Sequence, residues 1–371
     1  MYVTIKIKRC KVPEEESMNI LIRNGRIIDP ATKTDEISDL YIEGGKVKKT
    51  GKGLKPKDKT DKVIDASGCY VMPGLIDLHV HLRDPGLTYK EDIVSGSKAA
   101  ARGGFTTILA MPNTKPVIDS ADRVKYVQNK AKELSPIHVM QVGAITKNQA
   151  GEELADIEEM IEQGAPAISE DGKSVMNARL YKNAMGIAAK YDVPVFAHCE
   201  DRNIVARDVS TRTSTPERWD CLGSATLWRI SSQQGYYSGK GDRCKAPSVP
   251  LLHKRECPHD RAGKRGGHQS DGRSVPHHFT LTSDDVDPND ANYKMNPPLR
   301  TREDRDALIR GLKDDIMDVI STDHAPHSRE EKTMPITRAP FGIVGLETSV
   351  ALTITELVDK GILTLCRWQR R

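Results

Sequence analysis

The sequence predicts an α/β protein: a parallel barrel preceded by a small β unit. Strand-length apolar runs alternate with amphipathic stretches through most of the chain, which is the βα rhythm of a parallel barrel. Aromatic residues are scarce at 5%, while Gly, Ile, Val and Ala recur in short runs, as in α/β enzymes. Polar residues suited to chemistry sit at the ends of the apolar runs, and parallel barrels carry their sites at the C-terminal ends of their strands. The length of 371 residues accommodates one large barrel or two ordinary domains, so the pattern decides, not the length.

The elements follow in chain order. Residues 1–17 are a charged N-terminal extension without the apolar core of a signal peptide, and Met18 looks like a natural start. Residues 18–70 form the small β domain: a strand from Met18, a turn at Gly25, a second strand ending near Pro30, and further strand-like pieces over Asp39 to Val47 and Lys62 to Ala66. Residues 71–207 are the first part of the barrel and 276–361 its last part. The candidate strands are Val71 to Val80, Thr106 to Ala110, His138 to Gly143, Ala165 to Ser169, Val193 to His198 and Asp318 to Thr322. Between them, Gly151 to Gln163 places Leu154, Ile157 and Ile161 at helical spacing among acids.

One segment breaks the pattern. Residues 208–275 hold two of the three Trp and three of the seven Cys, with many Arg and Gly and little apolar periodicity. A structureless loop of that length argues against an ordinary compact domain. The alternatives are a disordered insert and a segment translated in the wrong frame. Back-translating Pro250 to Ser270 and shifting by one nucleotide permits a strand end, an amphipathic helix and the next strand. The shifted frame thus supplies the missing βα unit, and a sixth barrel strand with any ligand on it is absent from the chain as written. Residues 362–371 form an abnormal, basic, Trp-containing tail. A zinc knuckle built from Cys244, His253, Cys257, His259 and His268 matches no ribbon or finger spacing.

Charge and composition exclude other classes. The segment 208–275 carries 12 Lys/Arg against 7 Asp/Glu, leaving 44 basic and 45 acidic residues elsewhere, so the formal net charge of +4 is local. This is not a nucleic-acid footprint, which requires a coherent basic face. No apolar run approaches the roughly 18 residues of a membrane span. Seven cysteines without a CxxC pair fit a reducing compartment, and the expected location is the cytoplasm.

His79-Val-His81 closes an apolar run, and period-two alternation puts both imidazoles on one side of a strand end. Two neutral imidazoles on one face are good ligands for a borderline metal. Asp323 follows the run Ile316 to Ile320, His198 ends Val193-Pro-Val-Phe-Ala, and Asp171 follows Ala165-Pro-Ala-Ile-Ser-Glu. Singly, these are equally strand histidines, a buried core histidine, a helix cap and a turn acid. Together they put acid and imidazole at the ends of four separate strands, the arrangement of a hydrolytic metal site.

Five ordered motifs make the sequence resemble the dihydroorotases of the amidohydrolase superfamily: His79-Val-His-Leu-Arg-Asp-Pro-Gly86, Met111-Pro-Asn-Thr114, Ala197-His-Cys-Glu200, Lys294-Met-Asn-Pro-Pro-Leu-Arg300 and Thr322-Asp-His-Ala-Pro-His327. The resemblance covers about Met18 to Arg207 and Pro276 to Gly361. It implies a TIM-like (β/α)8 metal-dependent hydrolase barrel with a small β-sandwich domain, both incomplete here. It also implies one or two Zn2+ ions: His79, His81 and Asp323 on one, with Asp171 bridging toward a second held by His198. Many superfamily relatives carry a carboxylated lysine at the Asp171 position, so an Asp there looks like the single-function bacterial and archaeal type.

By the same resemblance, Arg83, Asn113 and Asn296 hold the substrate's α-carboxylate, His327 contacts substrate, and the backbone of Phe341 and Gly342 meets the pyrimidine ring. Asp323 is the catalytic proton shuttle. The implied reaction is the reversible cyclisation of N-carbamoyl-L-aspartate to dihydroorotate in pyrimidine biosynthesis. The implied partners are that small-molecule substrate and a homodimer mate or aspartate carbamoyltransferase, with no nucleic acid and no membrane. Rival implications are an allantoinase or hydantoinase-type cyclic amidohydrolase, against which Arg83 after His81 speaks, and a non-catalytic dihydroorotase-like subunit.

Overall fold

A computed structural model describes residues 19–198, 200 and 272–371. The N-terminal extension, the cysteine and histidine group and almost all of the segment read as out of frame lie outside the described residues.

The small β unit is one five-stranded sheet among the described residues. Its strands are β1 (Ile20–Asp29), β2 (Thr34–Glu43), β3 (Lys46–Gly51), β4 (Lys62–Asp65) and β5 (Tyr70–Val71). The order is β3-β2-β1-β4, with β5 also on β1; β2 runs antiparallel to β1, while β4 and β5 run parallel to it. Two sequence expectations need correction. Gly25 is not a turn: β1 runs through it, with a register shift between Ile22 and Gly25, and Asn24 takes a positive φ of 61°. A Cβ on Gly25 would come within 2.4 Å of Val71 Cγ2, so the glycine serves the close approach of β5. The expected strand Asp39 to Val47 is two strand ends joined at Gly44 and Gly45, whose φ of 59° and 69° reverse the chain. The edge strand β4 is exposed along its whole length, including Val63 and Ile64.

The barrel strands are β6 (Leu75–Val80), β7 (Phe105–Ala110), β8 (His138–Gln141), β9 (Gly143–Ala144), β10 (Ile168–Ser169), β11 (Val195–Phe196), β12 (Gly272–Ser274) and β13 (Met317–Ile320). Neighbours are parallel in the series β6-β7-β8, β9-β10-β11 and β12-β13. β8 and β9 are one run broken at Val142, whose N–H still donates to Ala110 O while Gly143 N–H turns to Ala167 O. The last described strand meets the first where His324, just past β13, bridges Val80, and His81 N–H donates to His324 O at 2.8 Å. The expected strand Val71 to Val80 divides at Pro73-Gly74: Val71 pairs with β1 of the small sheet and Leu75 begins the barrel.

Between the strands lie α1 (Ile93–Arg102), α2 (Ala121–Leu134), α3 (Ile157–Gln163) and α4 (Ala178–Lys190). Asp92 caps α1 through a reciprocal pair with Ser95. The helix expected from Gly151 starts only at Ile157, because Leu154 bridges Thr146 and Ala155 N–H donates to Ile145 O, tying those residues to the end of β9.

Leu78, Leu109, Met111, Val142, Ala167, Phe196 and Val319 form one buried cluster drawn from strands all round the ring. Side chains from strands of all three parallel series meet there, as they do in the interior of a barrel. A second cluster joins Ile28 of β1 to Phe279, Leu308, Leu312 and Met317, and includes Leu365 and Trp368. The residues read as an abnormal tail therefore pack: Leu365–Gln369 is a short helix, and the half-buried Arg371 donates to Met317 O while its carbonyl accepts from Ile320 N–H.

Candidate metal centre

The strand ends carry the polar residues into one cavity of about 200 Å³. Its lining includes His79, His81, Arg83, Asn113, Asp171 and Asp323. Asp77, on the same face of β6 as His79, is fully buried and prepares the strand end: its carboxylate accepts from His79 N–H at 3.0 Å and from Thr322 N–H at 3.1 Å. Burial raises the Asp77 carboxyl above its usual range despite those bonds.

His79, His81 and Asp171 offer ligand atoms that all lie within 4.8 Å of one another. His79 Nε2 is 3.2 Å from Asp171 Oδ1 and 3.5 Å from Asp323 Oδ1. His81 Nε2 is 3.5 Å from Asp171 Oδ2 and 3.2 Å from Asp323 Oδ1. His198 approaches from β11, its Nδ1 3.8 Å from Asp171 Oδ1 and its Nε2 2.8 Å from Glu200 Oε2. Burial alone would raise the Asp171 carboxyl, but the imidazoles of His79, His81 and His198 outweigh it and hold it well below the usual carboxylate range. Asp323 is lowered for the same reason, against its burial, by His81 and His79. Burial pushes the His198 imidazole down, yet Glu200 and Asp171 together raise it. Borderline nitrogen and hard oxygen donors converging in a buried pocket fit a divalent cation of the zinc type.

Asp323 has φ of +50°, a left-handed conformation that Asp and Asn tolerate better than most residues and that is enriched at functional sites. Arg83, likewise at positive φ (59°), is buried, and its Nε–H donates to Pro326 O at 3.1 Å. Its sequence neighbour Asp84 is engaged elsewhere, 2.7 Å from Lys130 Nζ, so a salt bridge between Arg83 and Asp84 is not what holds the guanidinium.

Asn113 points both polar atoms at ligand residues: Oδ1 lies 2.9 Å from His81 Nδ1, and Nδ2 donates to Asp171 Oδ2 at 3.1 Å. Asn296 donates from Nδ2 to Glu200 Oε2 at 3.3 Å, and Phe341 and Gly342 line the cavity. His327 sits just behind that wall and donates Nε2–H to Phe341 O at 2.7 Å, while Lys90 Nζ donates to its Nδ1 at 3.2 Å. Burial and the Arg83 charge push His327 down to about 4.

Several residues escaped sequence reasoning. Glu200 ends the Ala197–Glu200 motif, and its contacts with His198 and Asn296 give it a task. His324 was one more histidine of a motif; it ties Glu91, at 2.8 Å, to the backbone N–H of Gly345. His277 and His278, buried after β12, carried no periodic signal. Arg273 of β12 donates Nη1–H to His79 Nδ1 at 2.8 Å from a position only 1% exposed. It falls inside the segment read as out of frame, where no pattern marked it.

Residues 68–221 match a family model described as dihydro-orotase-like. A dihydroorotase of Solibacter usitatus is 44% identical over 353 residues, covering 94% of this chain and 81% of the relative. One from Clostridioides difficile is 43% identical over 369 residues, covering 93% of this chain and 82% of the relative. Among solved structures, an L-hydantoinase from Arthrobacter aurescens superposes with a TM-score of 0.82 at 22% identity, and a D-hydantoinase from Thermus sp. with 0.78 at 27%. Each alignment spans 94% of this chain and 79% of that structure. At these identities the hydantoinases establish the shared TIM-barrel fold, not the substrate.

Proposed function

The chain belongs to the dihydroorotase family, and from that premise we propose that its cavity interconverts N-carbamoyl-L-aspartate and dihydroorotate with the help of one or two zinc ions. The observation that carries this is the convergence of His79, His81, Asp171, Asp323 and His198 beside a buried arginine. No helix among the described residues is long and apolar enough to cross a membrane.

His79, His81, Asp171 and Asp323 would hold one cation, with Asp171 and His198 toward a second. A bound cation supplies Lewis acidity for the reacting carbonyl and an activated water. The protein supplies the rest. Arg83, with its planar donor fork, neutralises and orients the substrate's α-carboxylate, assisted by the amides of Asn113 and Asn296. Phe341 and Gly342 form the wall for the ring; a side chain on Gly342 would come within 2.7 Å of Ala325, closing that wall against larger residues. Asp323 takes the proton released on attack and returns it to the ring nitrogen as the amide opens; cyclisation reverses the transfer. Fixing both substrate ends converts reaction into a problem of short proton movements.

Side-by-side turnover of dihydroorotate, carbamoyl aspartate, allantoin and hydantoin, with zinc supplied, tests the assignment. The expected result is chelator-sensitive turnover of the first two only. Arg83→Ala is expected to cost about 2–4 kcal/mol in kcat/KM, because it strands a substrate carboxylate in a buried pocket. Turnover of allantoin or hydantoin without dihydroorotate would overturn the substrate, and an unchanged kcat/KM in Arg83→Ala would overturn the arginine's role.

A further inference from the structure

The imidazoles around Asp171 are not prepared alike. Behind His81 stands the Asn113 amide, whose Nδ2 is committed as a donor to the Asp171 carboxylate. Its Oδ1 is therefore the atom facing His81, at 2.9 Å, and accepts Nδ1–H. The lone pair of His81 then lies on Nε2, toward the centre. His198 is prepared in the same sense: its Nε2–H donates to Glu200 at 2.8 Å, leaving the Nδ1 lone pair toward Asp171. Both arrangements are the usual outer support of a metal-binding histidine, an acceptor that fixes the tautomer and raises ligand basicity.

At His79 the polarity is reversed. Arg273 reaches Nδ1 from β12 at 2.8 Å, and its guanidinium lies over the Phe196 ring, 5.3 Å from the centroid. A guanidinium has only N–H donors and nothing with which to accept. The contact therefore requires Nδ1 of His79 to be the acceptor, and the single N–H of the neutral ring falls on Nε2. That is the atom aimed at Asp171 and Asp323. An N–H pointing at two carboxylates suits a site without a cation, but it offers no lone pair to one. We propose that Arg273 is a positioning residue of inverted polarity, which holds His79 in the Nε2–H tautomer and thereby weakens the site's affinity for a divalent cation. The proposal rests on the metal-site assignment made above. A fixed positive charge directly behind a ligand acts in the same direction, by repulsion in a buried setting.

The test is the zinc affinity of the whole chain and of three variants, measured on metal-stripped protein by competition with a chromophoric chelator. Arg273→Glu and Arg273→Gln each offer His79 an acceptor oxygen, whereas Arg273→Lys keeps a donor-only side chain. The expected result is affinity raised by about 10–100-fold in the Glu and Gln variants, the scale typical of an outer-support partner, and little change in the Lys variant. A packing effect alone would not separate Gln from Lys. Equal, tight binding by all four proteins overturns the proposal and leaves the metal site standing. Binding by none of them, with folded circular dichroism spectra, overturns the metal site and the proposal with it. Histidine 15N spectra of the unaltered chain, with the His79 signals assigned through His79→Gln, give an answer even where an Arg273 variant fails to fold. A protonated Nε2 is expected, and a protonated Nδ1 overturns the proposal.

Discussion

On the N-terminal side of the cavity, the ends of β7 and β11 supply His81 and His198 with acceptors, Asn113 and Glu200. On the C-terminal side, β12 offers His79 a donor, Arg273, and the short helix that follows it, Pro276–Thr280, buries His277 and His278. One half is arranged to keep imidazole lone pairs on the centre, and the other half is not. The difference teaches that the ligand positions of a metal site are only part of its construction: identical residue types converge from both sides, and the atoms behind them decide what each can do.

The contrast predicts an acid sensitivity that belongs to the C-terminal half. Burial pushes His277 down to about 4 and His278 well below its usual value, while His198 is raised beside Glu200 and Asp171. For His277 the folded pKa lies below that of the unfolded chain, near 6.5, so between those values the unfolded state binds more protons. Its contribution is therefore present near neutrality and is lost as the pH falls from about 6.5 through 4, a change on the order of 2–3 kcal/mol by pH 4.5. Urea unfolding at pH 7 and pH 4.5 is expected to show a smaller loss in His277→Gln than in the parent. Equal losses would break this side of the contrast.

A smaller effect is expected on the other side. Asn113→Ala removes the acceptor from His81 and the donor from Asp171 at once, and zinc binding should weaken by about 10–100-fold, with the fold retained. If zinc titration gives the parental affinity in Asn113→Ala, the acceptor behind His81 does not matter and the two halves differ in appearance only.

Much of this was legible from residues in a row. Apolar runs located β6, β7, β8 and β13 to within a few residues, because strands buried on both faces carry an unmistakable composition. The HxH pair and the acids at strand ends located the centre, since alternation fixes which side chains share a face. Less legible were features set by distant partners. The late start of α3 follows from backbone pairing between Leu154 and Thr146, and the role of Gly25 follows from Val71, 46 positions later in the numbering and not visible in local propensity. Asn113 matched a substrate-binding position, whereas its amide faces His81 and Asp171, a contact no motif spacing encodes. Arg273 was hidden most completely, because it stands 194 positions from His79 in a stretch whose composition gave no strand signal.

The central claim is that the cavity at the strand ends is a metal-dependent dihydroorotase site in which Asp323 moves the proton. Asp323→Asn tests it most directly, because Asn is nearly isosteric and accepts the positive φ of that position, yet neither titrates nor carries charge. Zinc-supplied turnover of dihydroorotate is expected to fall by about 10²–10⁴-fold in the variant relative to the parent chain. Turnover by Asp323→Asn at the parental rate would contradict the account.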